Sequence, residues 1–224
     1  MTDRDLDRHV AGCAAAHQRL LGHLDALVGA GLLDDAAVRG PSRLEGWTVG
    51  HVLTHLARNA DSLVRVIGGA ERGEVLEQYD GGLTSRAADI EAGAPRPARE
   101  QVRDVRSGVY ALETAWARCS ERAWAGRWRA AMGGEQPVTG LVFRRWREVE
   151  VHHADLGLVG FGIDDWSPDY VTEDLARRTM EWASRQPMGL TALPGVALSL
   201  SPAHRLAWLT GRETPPGLEP VPFA

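Results

Sequence analysis

The stretch RRWREVEVHHADLG, residues 144–157, places Glu148, His152 and Asp155 at i, i+4 and i+7. At helical pitch these three fall on one face, so a carboxylate, an imidazole and a second carboxylate project together. In a helical bundle this is how metal ligands are set into the core. An earlier segment carries His51 and His55, again i and i+4. A helix bearing HxxxH that faces one bearing ExxxH would give a divalent ion three nitrogen and oxygen donors and leave a fourth position open. The spacing does not choose between His51 and His55. A plainer reading stands beside this one: a helix rich in Glu, Arg and His can be a solvated face laced by i,i+4 ion pairs. His153 is expected in the packing, on the stripe of Val142, Trp146 and Val149.

The elements that must position these side chains are legible from apolar spacing. Leu6, Val10, Cys13, His17, Leu20, Leu24 and Leu27 alternate steps of four and three, which predicts a long amphipathic helix over 4–28. A second helix starts at Thr48, an N-cap residue, presents Val52, His55 or Leu56, Asn59, Leu63 and Val66, and is expected to stop at Gly68-Gly69. Residues 68–98 are rich in Gly, Ala and Pro and read as a long connection. Val102, Val105, Val109, Leu112, Trp116 and Cys119 predict a third helix over 98–120. A loop with Trp124, Trp128 and GGEQP leads to the fourth, over 138–156.

Ser167-Pro168 opens a fifth helix that ends at Pro187. VALSL (196–200) reads as a short strand, Ser201-Pro202 opens one more helix closed at Gly211, and TPPGLEPVPFA reads as extended. The expectation is an all-α four-helix bundle with a small C-terminal α/β appendage, divided into residues 1–160 and 161–224.

Composition removes other chemistries. All 25 basic residues are arginine, so Schiff-base, P-loop-lysine and lysine-base mechanisms are excluded. With 30 acidic residues the net charge is −5, and no basic patch points to nucleic acid. Cys13 and Cys119 form no CxxC pair and suggest neither a disulfide scaffold nor a zinc ribbon. No secretory signal and no bilayer-length apolar run is visible, so a cytoplasmic setting away from membranes is expected. The sequence holds no GxSxG, GxxxxGK[ST] or strand-borne GxGxxG.

RLEGWTVGHVLTHLARNADSL (43–63) followed by WREVEVHHADLG (146–157) resembles the mycothiol-dependent maleylpyruvate isomerases, within the DinB-like superfamily of metal-binding four-helix bundles. The resemblance covers about residues 10–186. It implies Zn²⁺, or another divalent metal, held by His55, Glu148 and His152, and so selects His55 over His51. It implies an orienting or water-contacting role for Asp155. It also implies arginines that clamp anions, matched by Arg212 after the last helix and by Arg86 after Tyr79 in the long connection. Arg86, His17 and Asn59 are the expected thiol contacts, and Arg212 and Asp155 the expected catalytic residues. The C-terminal region is shorter than the family pattern, with about 25 residues between the fifth helix and Gly211-Arg212.

The implied activity is cis–trans isomerisation of a maleylpyruvate-like substrate, with mycothiol adding to and leaving a conjugated double bond. The partners are a small thiol and a small anionic or electrophilic substrate, and the expected assembly is a monomer or homodimer. A mycothiol S-transferase would use the same ligands, and a non-catalytic DinB-like metal-binding protein would give Arg212 no special role.

Overall fold

The stripe from Leu6 to Leu27 forms α1, Asp3–Gly29, in which Cys13, Leu20 and Leu24 are entirely excluded from solvent. The structure, a computed structural model, describes residues 3–187 and 192–221. Its elements group into two units, residues 1–160 and 161–224. In the first unit α1 is followed by α2 (Asp35–Arg39), α3 (Val49–Arg72), α4 (Gly82–Gly93), α5 (Ala98–Arg118) and the single turn α6 (Glu121–Trp124). A short antiparallel hairpin of β1 (Arg127–Arg129) and β2 (Glu135–Pro137) then leads into α7 (Gly140–Asp155).

Helices α1, α3, α5 and α7 make a four-helix bundle: α3 packs on α5 and α7, and α1 packs on the same two. Leu56, Leu112 and Val142 are among the side chains wholly buried between them, and a fully buried leucine contributes roughly 1.5–3 kcal/mol. Helix α7 presents two inward stripes. Val142, Trp146, Val149 and His153 are buried as packing residues. Arg145, His152 and Asp155 are buried beside them, with Glu148 half-buried on the same line.

Helix α3 starts as expected: Thr48 Oγ1 accepts from the His51 N–H at 3.3 Å. It does not stop at Gly68-Gly69. It runs to Arg72 and ends on Gly73, whose φ of 77° is left-handed. Gly69 answers a packing need instead, because a Cβ there would stand 2.6 Å from the Leu76 side chain. The connection after it holds α4, and the loop before α7 holds the hairpin; neither was expected.

In the second unit a 3₁₀ turn (Ile163–Asp165) precedes α8 (Pro168–Arg185), α9 (Gly195–Ser199) and α10 (Pro202–Leu209). Ser167 and Ser201 cap α8 and α10 as expected. Ala197, Trp208, Leu209 and Leu218 form a small core, with Trp182 against it. The expected strand VALSL is a correction: Pro194 sets the N-cap of a short helix, α9, and the described elements of this unit are helical. Among the described residues, the appendage is therefore helical where a strand was expected. The last three residues of the proline-rich tail lie outside the described residues. Among the described residues no helix is long and apolar enough to cross a membrane.

Candidate metal centre

His55 leaves α3 two turns after its N-cap, and Glu148 and His152 leave successive turns of α7. Glu148 Oε2 accepts from His55 Nε2 at 2.8 Å and lies 3.3 Å from His152 Nε2. The two imidazoles meet edge to face, with ring centroids 4.5 Å apart. One donor atom from each residue lies within 4.8 Å of the other two, the one such cluster of three or more metal-ligating side chains among the described residues. Ligands roughly 2.1 Å from a tetrahedral zinc stand about 3.4 Å apart, so the donor set and its spacing fit a divalent ion. Asp155 Oδ2 lies 2.9 Å from His152 Nδ1, close enough to pair with the ring electrostatically, without the alignment of a hydrogen bond.

The electrostatics divide the three donors. Burial, then the neighbouring His152, pushes the His55 pKa down to about 4, which leaves it neutral at pH 7. Burial alone would raise Glu148, but contacts with His152 and His55 outweigh it and hold the carboxyl well below its usual range. Burial opposes charge on His152 too, yet Asp155 and Glu148 together raise its pKa above the ordinary imidazole value. The result is one firm carboxylate between a neutral ring and a readily charged one.

The flanking segments explain the choice of histidine. His51 is committed to the start of α3, where its Nδ1 accepts from the Thr48 N–H at 3.1 Å. Trp47 stacks on His51 at 6.0 Å between centroids and sets its ring edge against His55 at 5.8 Å. Arg86, on the unexpected α4, reaches the centre: its Nη2 donates to His55 Nδ1 at 3.0 Å, and its guanidinium lies 5.6 Å from the Tyr79 ring centroid.

The other expected contacts have hydrogen-bond partners of their own. His17 is wholly buried with both ring nitrogens engaged, one by Glu113 and one by Arg145, and Asn59 Oδ1 accepts from Arg145 at 2.8 Å. Both belong to the bundle interior. Arg212 is in the second unit, in the turn after α10, where its Nη1 donates to the Thr210 carbonyl at 3.0 Å. Sequence reasoning passed over Arg145, although 145, 148, 152 and 155 share one 3-4-3 line on α7. That line was the available signal. Burial pushes the Cys13 thiol far above its usual range and that of Cys119 up to about 11, so neither is a thiolate at neutral pH.

Comparison with known proteins gives three findings. A family model described as "Mycothiol maleylpyruvate isomerase N-terminal domain" matches residues 13–157. The chain is similar to the crystal structure of the mycothiol-dependent maleylpyruvate isomerase at 25% identity and a TM-score of 0.78, over 95% of this chain and 92% of that one. It is similar to a histidine-to-alanine mutant of that enzyme at 24% identity, with the same TM-score and coverage. No curated protein sequence matches the chain significantly.

Proposed function

The chain belongs to the family defined by the mycothiol maleylpyruvate isomerase N-terminal domain, and on that footing we propose that it is a metal- and mycothiol-dependent cis–trans isomerase of the maleylpyruvate type. The observation that carries this reading is the convergence of His55, Glu148 and His152 beside Arg86 in a protein whose own cysteines stay protonated. A diffusible thiol is therefore the nucleophile proposed. Zinc is the metal proposed, on the donor set. Bound by these donors it would hold a sulfur at its open position and favour the thiolate.

In the proposed reaction the thiolate sulfur forms a bond to one carbon of the conjugated cis double bond. The π pair moves to the carbonyl oxygen, giving an enolate with a single bond free to rotate. Collapse of the enolate expels the thiolate and leaves the trans isomer, so thiol and charge are restored. Arg86 is the cation for the developing enolate oxygen or a substrate carboxylate, since guanidinium binds such groups through paired hydrogen bonds. His55 Nδ1 can accept from Arg86 only while Nε2 carries the ring proton. A ligand role for Nε2 moves that proton to Nδ1 and frees Arg86 for an anion. Asp155 holds His152 in the orientation a ligand needs. For Arg212 the expectation is the one the resemblance supplies, a carboxylate clamp, and Arg212→Ala should raise KM for substrate without loss of metal.

The test is direct. Protein, mycothiol and maleylpyruvate are mixed and the ultraviolet spectrum is followed. Conversion to fumarylpyruvate that needs the thiol and vanishes in His55→Ala supports the reading. No conversion at saturating thiol and restored metal refutes it.

A further inference from the structure

Arg145 stands on α7 three residues before Glu148 and is wholly buried. Its guanidinium reaches two other bundle helices. Nη1 donates to the Leu56 carbonyl and to Asn59 Oδ1 on α3, both at 2.8 Å, and Nε donates to His17 Nε2 on α1 at 3.0 Å. Arginine has only donors, so His17 Nε2 must accept and the ring proton sits on Nδ1. From there it is donated to Glu113 Oε1 on α5 at 2.9 Å. Burial, the largest influence, lowers the His17 pKa to about 4 and keeps the ring neutral. One chain of hydrogen bonds therefore joins all four bundle helices next to the metal ligands.

Two features set Arg145 apart from ordinary packing. It makes no ion pair among the described residues, and its buried Nη2 has no hydrogen-bond partner. A buried charge so placed opposes folding where an apolar side chain of similar volume would not. Its acceptor on α3 is also the carbonyl of Leu56, the residue that follows His55. The side chain spans the gap between the α3 turn that carries one ligand and the α7 turn that carries another.

We infer that Arg145 is a positioning residue of the metal centre: it locks the His55 turn of α3 against the Glu148 turn of α7, so that the three donors stand at bonding separation. This rests on the metal centre proposed above. Ligand sets function only when held to within roughly 0.5 Å of their geometry, and a slide or roll of α3 on α7 exceeds that. The His55 Nε2–Glu148 Oε2 hydrogen bond also crosses between these helices, but it joins the ligands themselves and would give way to a bound ion.

Cobalt(II) is the probe, because its d–d absorption reports coordination geometry as well as binding. Wild-type protein should take up the ion with intense tetrahedral-type bands. Arg145→Met should keep its helical circular dichroism yet bind cobalt(II) about 10–100-fold more weakly, the range found for partners of metal ligands, with altered bands. Arg58→Met is the comparison. It removes the Arg58–Asp104 pair, which ties α3 to α5 at 2.7 and 2.8 Å, so it should lower the unfolding temperature and leave the cobalt(II) affinity and spectrum unchanged. Wild-type affinity and spectrum in Arg145→Met overturn the inference. Equal loss of metal in Arg58→Met also overturns it, since any loss of bundle stability would then suffice. Should Arg145→Met fail to fold, Arg145→Lys decides by the same criterion, because lysine keeps the charge but cannot reach Leu56 and His17 together. A wild type that takes up no cobalt(II) refutes the metal centre itself, an outcome distinct from the other two.

Discussion

A proton and a metal ion compete for the same imidazole nitrogen, so the pKa of each ligand histidine sets the pH at which the centre loads. His55, at about 4, offers no competition near neutrality. His152 does, because Asp155 and Glu148 raise its pKa against the opposing effect of burial. Metal affinity should therefore fall about tenfold per pH unit once the pH drops below the raised His152 value. In Asp155→Asn that decline should begin at a lower pH, while affinity at high pH drops roughly 10–100-fold. Cobalt(II) titrations across pH check both, and an unshifted onset would remove Asp155 from its role. At this scale the sequence was informative about Glu148, His152 and Asp155, since one helical period aligns them. It could not separate His51 from His55 by spacing, because the difference lies in a capping bond: His51 Nδ1 accepts from the Thr48 N–H. Arg145 escaped notice because arginine is ordinarily a surface residue, and only its three buried acceptors reveal it.

The elements were legible where burial is periodic and where a side chain marks the end. α1, α3, α5, α7 and α8 have both an apolar stripe and, for α3 and α8, a hydroxyl cap. α4 has neither: Gly81 at its N-cap makes no side-chain bond and only Ile90 and Gly93 are buried. Yet it delivers Arg86, expected from the resemblance alone, to within 3.0 Å of His55 Nδ1. VALSL misled because five apolar and small residues suit a strand, and the context that makes α9 a helix lies in Pro194 before it. α3 and α4 are coupled at one glycine. A Cβ on Gly50 would stand 2.1 Å from the Ala94 carbonyl oxygen that follows α4, with backbone unable to yield as a side chain would. Gly50→Ala should cost about 1–3 kcal/mol by overpacking, read as a lower urea midpoint. It should also push α4 outward and weaken substrate binding through Arg86. Unchanged stability would show that this contact is looser than its geometry implies.

At the scale of the molecule, the bundle hides imidazoles that must stay neutral. Burial is the main cause in both His17, lowered to about 4, and His153, lowered to about 3. In the unfolded chain such groups titrate near 6.5, so below that pH the unfolded state binds protons that the folded state refuses. Their contribution is whole above pH 6.5 and is lost as the pH falls towards 4 and then 3, with each histidine adding a slope of about 1.4 kcal/mol per pH unit. Urea midpoints between pH 7 and 4 should decline accordingly, and less steeply in His153→Phe. A bound metal should act in the opposite sense, stabilising the fold by about 2.7 kcal/mol at a hundredfold excess over its dissociation constant. The expectations for the centre itself depend on a metal ion sitting between α3 and α7. Elemental analysis of the purified protein tests that most directly. About one zinc per chain is expected, reduced to background in His55→Ala; wild-type protein that stays metal-free after zinc loading, or a His55→Ala variant that retains a full equivalent, would contradict a metal centre at these ligands.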